Sequence, residues 1–154
     1  VRQLPRLRQH WLPLTAALLA GSVTAIVSVV VVAQLLGATP ALIATLAPKS
    51  VTSPIAMAVA ERLGGLPSLT AALVIGTGIF GAIFSTWLFH ALRVRSDAAR
   101  GFAMGLAAHG IGTARAFQLS PEMGAFAGLA MGLNGALTAL LAPWLVPLVT
   151  RWMA

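Results

Sequence analysis

Apolar residues run along this chain in long blocks separated by short polar breaks, and the block lengths decide what each can be. Residues 12–38 carry no charged side chain. As a helix, at about 1.5 Å per residue, they would measure roughly 40 Å, more than the roughly 30 Å hydrocarbon core of a bilayer. Their run IVSVVVVAQLL would suit a strand in a soluble protein. In lipid a helix is expected, because it satisfies every backbone group within the segment. Residues 66–92 and 123–150 form two more blocks of spanning length.

Two further apolar stretches are interrupted. In 40–62, PALIATLA gives way to PKSVTSP before IAMAVAERL resumes. Pro48 and Pro54 donate no backbone hydrogen bond, and each disfavours helix in the residue before it. In 101–119 the sequence HGIGTAR breaks the middle. The pattern predicts an all-α, polytopic integral membrane protein with three full transmembrane helices and two broken or re-entrant segments. A basic lead-in, residues 1–11, precedes a single membrane domain over 12–150. A weak internal repeat runs through it. Thr15-Ala16-Ala17-Leu18 matches Thr70-Ala71-Ala72-Leu73, and Gly21 falls on Gly76 at the same offset. Each of these two long blocks precedes a broken one, a pairing common in secondary transporters.

Composition supports the membrane and narrows the chemistry. The chain is 58% hydrophobic and 8% charged, against about 25% charged in soluble domains. Its mean hydropathy is +0.92. The net charge of +7 does not point to nucleic acid, because the arginines lie between apolar blocks rather than on one polar face. They are distributed as membrane-flanking charges. Counting positive charge puts residues 1–10 and 93–100 in the cytoplasm, which requires 40–62 to enter and leave on the outer side. Trp11, Trp87, Trp144 and Trp152 stand near block ends, where interfacial aromatics belong. There is no cysteine, hence no disulfide or thiolate metal site. No Ser–His–Asp set, carboxylate pair or phosphate loop can be assembled, and neither enzyme activity nor a metal or cofactor is expected. Gly76, Gly78 and Gly81 spell GxGxxG without the strand a dinucleotide fold needs; with Gly124, Gly128 and Gly132 they read as helix-packing positions.

The candidate site lies at the two breaks. In PKSVTSP, Lys49, Ser50, Thr52 and Ser53 suit an anion, with a half-helix N-terminus and a positive charge together; the alternative is a surface loop. In HGIGTAR, His109, Gly110, Gly112, Thr113 and Arg115 sit inside an apolar stretch. A charge there is costly and points to function, unless Arg115 reaches the interface. His109 could carry a proton or serve packing. Asn134 either lines a pathway or bonds between helices. If the two breaks meet at mid-depth, Lys49 and Arg115 could flank one carboxylate.

At PKSVTSPIAMAVAERLGG, AARGFAMGLAAHGIGTARA and GAFAGLAMGLNG the chain resembles the LrgB/CidB family over about residues 10–150. The plastid glycolate/glycerate translocator is similar in its membrane portion. The resemblance implies a bacterial inner-membrane, multi-pass protein and two functions of different class. One is a carrier for small monocarboxylates such as glycolate, glycerate or pyruvate. The other is an antiholin-like regulator of murein hydrolase export and autolysis, acting with a small holin-like membrane protein of LrgA/CidA type. A homo-oligomer is compatible with both. The resemblance further implies that additional helices precede this region in a full-length member.

Overall fold

The computed structural model describes residues 11–153; the lead-in 1–10 lies outside them. Among the described residues there are six helices and no strand: α1 (Trp11–Leu35), α2 (Pro40–Leu46), α3 (Ser53–Arg62), α4 (Pro67–Ala91), α5 (Asp97–Leu119) and α6 (Pro121–Trp152). Helices α1, α4 and α6 are long and apolar enough to cross a membrane.

Local chemistry sets the boundaries. Pro40, Pro67 and Pro121 occupy first turns, where a missing N–H costs nothing. The hydroxyls of Thr39, Ser96 and Ser120 accept from the N–H groups of Leu42, Ala99 and Met123, capping three helices. Helix α5 therefore begins at Asp97, inside the polar stretch 93–100 that the charge count places in the cytoplasm. At the other ends, Gly37 and Gly64 take left-handed backbone (φ 74° and 79°). Behind them Ala38 N–H bonds Ala33 and Gly65 N–H bonds Ala60, each closing its helix.

The packing gives every element a direction. Gln34 Nε2 donates to the carbonyl of Thr150 at 3.1 Å, so α1 and α6 run parallel. One core cluster joins Val30 and Ala33 of α1, Ile43 of α2, Val59 of α3 and Val146 of α6. A surface crevice at the same end is lined by Gln34, Pro40, Leu63 and Thr150. The segment α2–α3 thus leaves and returns at one end of the bundle: it is a re-entrant hairpin. Thr45 fastens it to the next span, its Oγ1 accepting from Leu66 N–H at 2.9 Å and its carbonyl accepting from the Thr70 hydroxyl at 3.1 Å.

Helix α5 is a second hairpin. His109 has φ 40° and ψ −129°, non-helical values inside an otherwise helical run. A Cβ on Gly112 would lie 2.7 Å from the carbonyl oxygen of Met104, whereas eight residues of straight helix span about 12 Å. Asp97 and Leu119, its two ends, line one crevice with Ser120 and Met123. The arms fold against each other and return to the end opposite the first hairpin. Helix α6 packs along both arms. Gly101 and Gly105 of the first arm meet the backbone of Met123 and Ala127, and Gly124 meets the ring of Phe117 on the second. Such close approach is how small residues join helices in lipid.

The result is an inverted repeat. The pair α1 plus hairpin α2–α3 and the pair α4 plus hairpin α5 run in opposite senses, with α6 between them. Trp11 and Trp87 mark one end and Trp144 and Trp152 the other, all exposed.

Two outcomes are predicted. Single cysteines at Leu36 and Leu66 will label from the same side of the membrane, and one at Arg95 from the other, the cytoplasmic side by its arginines; opposite-side labelling at Leu36 and Leu66 would make α2–α3 a true span. Second, a Cβ at Gly105 collides with backbone, whereas one at Gly132 meets nothing within 4 Å. Gly105→Ala should lower the unfolding midpoint in detergent, overpacking costing about 1–3 kcal/mol, while Gly132→Ala should leave it unchanged or slightly raised.

Candidate functional site

A helix that breaks at membrane depth leaves polar backbone without partners, and the structure meets this with one side chain. Asn134 is midway along α6 and 1% exposed. Its Nδ2 donates to the carbonyl of Ser50, at the tip of the first hairpin, at 3.1 Å. The same nitrogen donates to the carbonyl of Leu106, just before the tip of the second, at 2.9 Å. Asn134 Oδ1 accepts from Ser22 of α1 at 2.6 Å and from Thr138 at 3.4 Å. Both amide hydrogens and both oxygen lone pairs are thereby used. Three helical units and α6 itself converge on one residue.

The two breaks therefore do meet, midway along the spans. The residues at them have different roles. His109 is buried, and its Nε2 lies 2.9 Å from the carbonyl of Val74 on α4. A carbonyl only accepts, so Nε2 carries the proton. The ring sits over Gly78, where a Cβ would come within 2.7 Å of Cε1. Thr113 turns its hydroxyl back to the His109 carbonyl at 2.7 Å, and Gly112 admits the first arm at Met104. These residues build the turn. Gly110 is half-buried and has only Met131 sulfur near, 4.0 Å from where a Cβ would stand. Thr52 and Ser53 are half-buried at the start of α3, and Thr52 makes no side-chain cap.

Beside the tips lies a cavity of about 840 Å³, walled by α1 (Ala20, Gly21, Thr24, Ala25) and α4 (Ala72, Leu73, Gly76, Thr77, Phe80, Gly81) and floored by Lys49, Ser50, Leu106 and Ala107. Several wall residues, among them Thr24, Ala72 and Gly76, are exposed, so the cavity opens sideways between the two helices. Lys49 is half-buried, with Nζ 3.3 Å from Ser50 Oγ, and among the described residues it is the one charged side chain in this lining. Arg115 does not join it. It is exposed on the second arm, where its Nη1 donates to Gln118 Oε1 at 3.1 Å. The predicted pairing of Lys49 with Arg115 about one carboxylate is thus absent from this arrangement.

The sequence pattern of the LrgB-like family matches residues 1–148. The chain belongs to this family. Among its relatives, an uncharacterized protein of Haemophilus influenzae is 34% identical over 96% of this chain and 64% of its own length. Another, the uncharacterized protein YwbG of Bacillus subtilis, is 37% identical over 92% of this chain and 63% of its own length. The antiholin-like protein LrgB of Bacillus mycoides is 27% identical over 96% of the chain and 64% of its length. This LrgB-like chain thus spans somewhat under two thirds of these relatives. No solved structure matches it.

Sequence reasoning missed Ser22, Thr138, Thr24 and Thr77. Hydroxyls isolated in apolar spans were the available signal, since such groups seek partners across helices. The tie predicts that Asn134→Leu will destabilise the protein by about 2–6 kcal/mol, two backbone carbonyls losing their donor at about 1–3 kcal/mol each. Unfolding followed by tryptophan fluorescence in mixed micelles measures this, with Thr150→Val as a control.

Proposed function

We propose that this membrane protein forms the core of a carrier for small monocarboxylate anions of the glycolate, glycerate or pyruvate type. The observation that carries the reading is the meeting of two oppositely directed re-entrant hairpins beside a mid-span cavity floored by a lysine. Irregular backbone at membrane depth is tolerated where it lines a cavity, and inverted repeats with broken helices are the common frame of alternating access. A carboxylate entering this cavity gives up hydration that Lys49 partly replaces. Lys49 is the charge partner in this reading, while Arg115 lies outside the cavity.

A second reading draws on the relatives: an antiholin-like regulator of murein hydrolase export, acting with a small holin-like protein. The name of the Bacillus mycoides relative, an antiholin-like protein, favours it, and it requires helix-packing faces rather than a cavity lysine.

Uptake of labelled pyruvate and glycolate into proteoliposomes separates the two. Losing one partner of a buried charge pair typically costs about 2–5 kcal/mol, so Lys49→Ala should reduce uptake well over tenfold. Lys49→Arg should retain part of it, and Arg115→Ala should have the smaller effect. If Lys49→Ala folds normally and keeps full uptake, the anion site is elsewhere. If it abolishes uptake yet leaves autolysis unchanged in cells, the two activities are separate.

A further inference from the structure

Resting on the carrier reading, we propose that Asn134 is a two-position latch. Its oxygen holds Ser22 of α1 in this structure and Thr77 of α4 in a second state, and the exchange changes which side of the hairpin tips is open.

The amide of Asn134 treats the two halves of the molecule alike through its nitrogen and unequally through its oxygen. The nitrogen holds the carbonyls of Ser50 and Leu106, which stand 56 residues apart. Matched positions of the internal repeat, Thr15 with Thr70 and Gly21 with Gly76, stand 55 apart. The two carbonyls are therefore counterparts to within one residue. The oxygen accepts from Ser22 of α1 at 2.6 Å. The position 55 residues beyond Ser22 is Thr77, a second hydroxyl, on α4. Ser22 and, one turn further on, Ile26 are buried, whereas their counterparts Thr77 and Gly81 line the cavity. Helix α1 is seated at Asn134 by a face that α4 also carries and holds toward the cavity. His109 pins α4 at Val74, at 2.9 Å. Val74 is three residues from Thr77, about 60° around the helix, so a roll of α4 about this pin carries Thr77 toward Asn134.

The exchange conserves hydrogen bonds. Off the latch, Thr77 donates to the carbonyl of Leu73, one turn back, at 2.8 Å. A released Ser22 has the carbonyl of Leu18 in the same relation, and Leu18 and Leu73 are matched residues of the repeat. Serine makes such a bond within its own helix readily. Each state thus has one hydroxyl on Asn134 and one on its own helix, and bond count favours neither. The nitrogen keeps both tips throughout, so Lys49 stays at its depth while the helices beside it trade places. Inverted repeats rocking about a fixed site work in this way.

The test uses the full chain with paired cysteines, none being native, in lipid vesicles with a short bifunctional thiol reagent. Helix α1 runs parallel to α6, so Ile26 and Thr138 each lie one turn beyond the Ser22–Asn134 contact, and that pair reports the present state. Helix α4 runs antiparallel to α6, so Leu73 would lie beside Thr138 once Thr77 reached Asn134, and that pair reports the second. Both pairs should join. Loss of one hydrogen bond shifts a two-state balance about twofold to tenfold. Thr77→Val should therefore lower the Leu73–Thr138 yield by that factor and slow uptake of labelled pyruvate, yet leave the unfolding midpoint unchanged, because in the present state its hydroxyl bonds only its own helix. Thr77→Ser should retain yield and uptake, and Ser22→Ala should raise the Leu73–Thr138 yield. No Leu73–Thr138 product, in folded protein whose Ile26–Thr138 pair joins, overturns the exchange whatever the uptake. A Leu73–Thr138 yield that ignores Thr77→Val overturns it too, since α4 then moves without the latch. Yields that respond to both variants in protein that carries neither pyruvate nor glycolate leave the exchange standing and remove the carrier reading alone.

Discussion

Hydrocarbon offers no hydrogen bonds, so a helix can break inside a membrane only where protein or enclosed water completes the broken backbone. The architecture of this chain follows from that constraint. Two segments stop short of crossing and turn back, and each leaves a carbonyl at the turn. Asn134 supplies a donor to both, and its oxygen is in turn held by Ser22 and Thr138. A single amide thereby fixes the depth of both hairpins and their position against α1 and α6. A half-satisfied network would be worse than none at such a depth, which is why a fully bonded asparagine suits the position and an apolar residue does not.

Around this tie the two repeats achieve closeness by different means. The α5 hairpin meets α6 through glycines whose added Cβ would strike backbone, at Gly101 and Gly105. The α2–α3 hairpin meets its neighbours through Ile43, Val59 and Val146, and through the two bonds of Thr45. One tip is a single turn at His109, pinned to Val74. The other is a run of hydrogen-bonded turns over residues 47–50 that carries Lys49. That asymmetry places one positive charge in a cleft otherwise walled by small and apolar side chains, a feature on which the proposed anion carrier rests.

Much of this was legible in the sequence. Block length separates the three spanning helices from the two interrupted ones, and Pro48 with Pro54 marks the first break without ambiguity. The requirement that both basic segments share a side implies a re-entrant first hairpin, and the packing shows that shape. The second break was legible as a place, and as broken or re-entrant, but the sequence did not choose between these, because HGIGTAR contains no proline and a glycine-rich helix can continue straight; the backbone of His109, the approach of Gly112 to Met104 and the crevice shared by Asp97 and Leu119 reveal the reversal. Arg115 was expected near Lys49 because both lie close to a break in the sequence. Once the arms fold, Arg115 is six residues beyond the turn and on an exposed face. Ser22 could not be matched to Asn134 from sequence, since nothing local in either span encodes which helices become neighbours.

The claim on which the rest stands is that the hairpin tips, entering from opposite ends, meet beside the cavity. The natural absence of cysteine allows a direct measurement. Cysteines placed at Ser50 and Ala107 in the membrane-embedded protein would be treated with a short thiol-to-thiol crosslinker, followed by proteolysis at the arginines of the 93–95 loop. Two fragments held together by the crosslink are expected, and fragments that separate when the second cysteine is moved to Leu119, at the far end of the α5 hairpin. Efficient joining to Leu119 with none to Ala107 would contradict it.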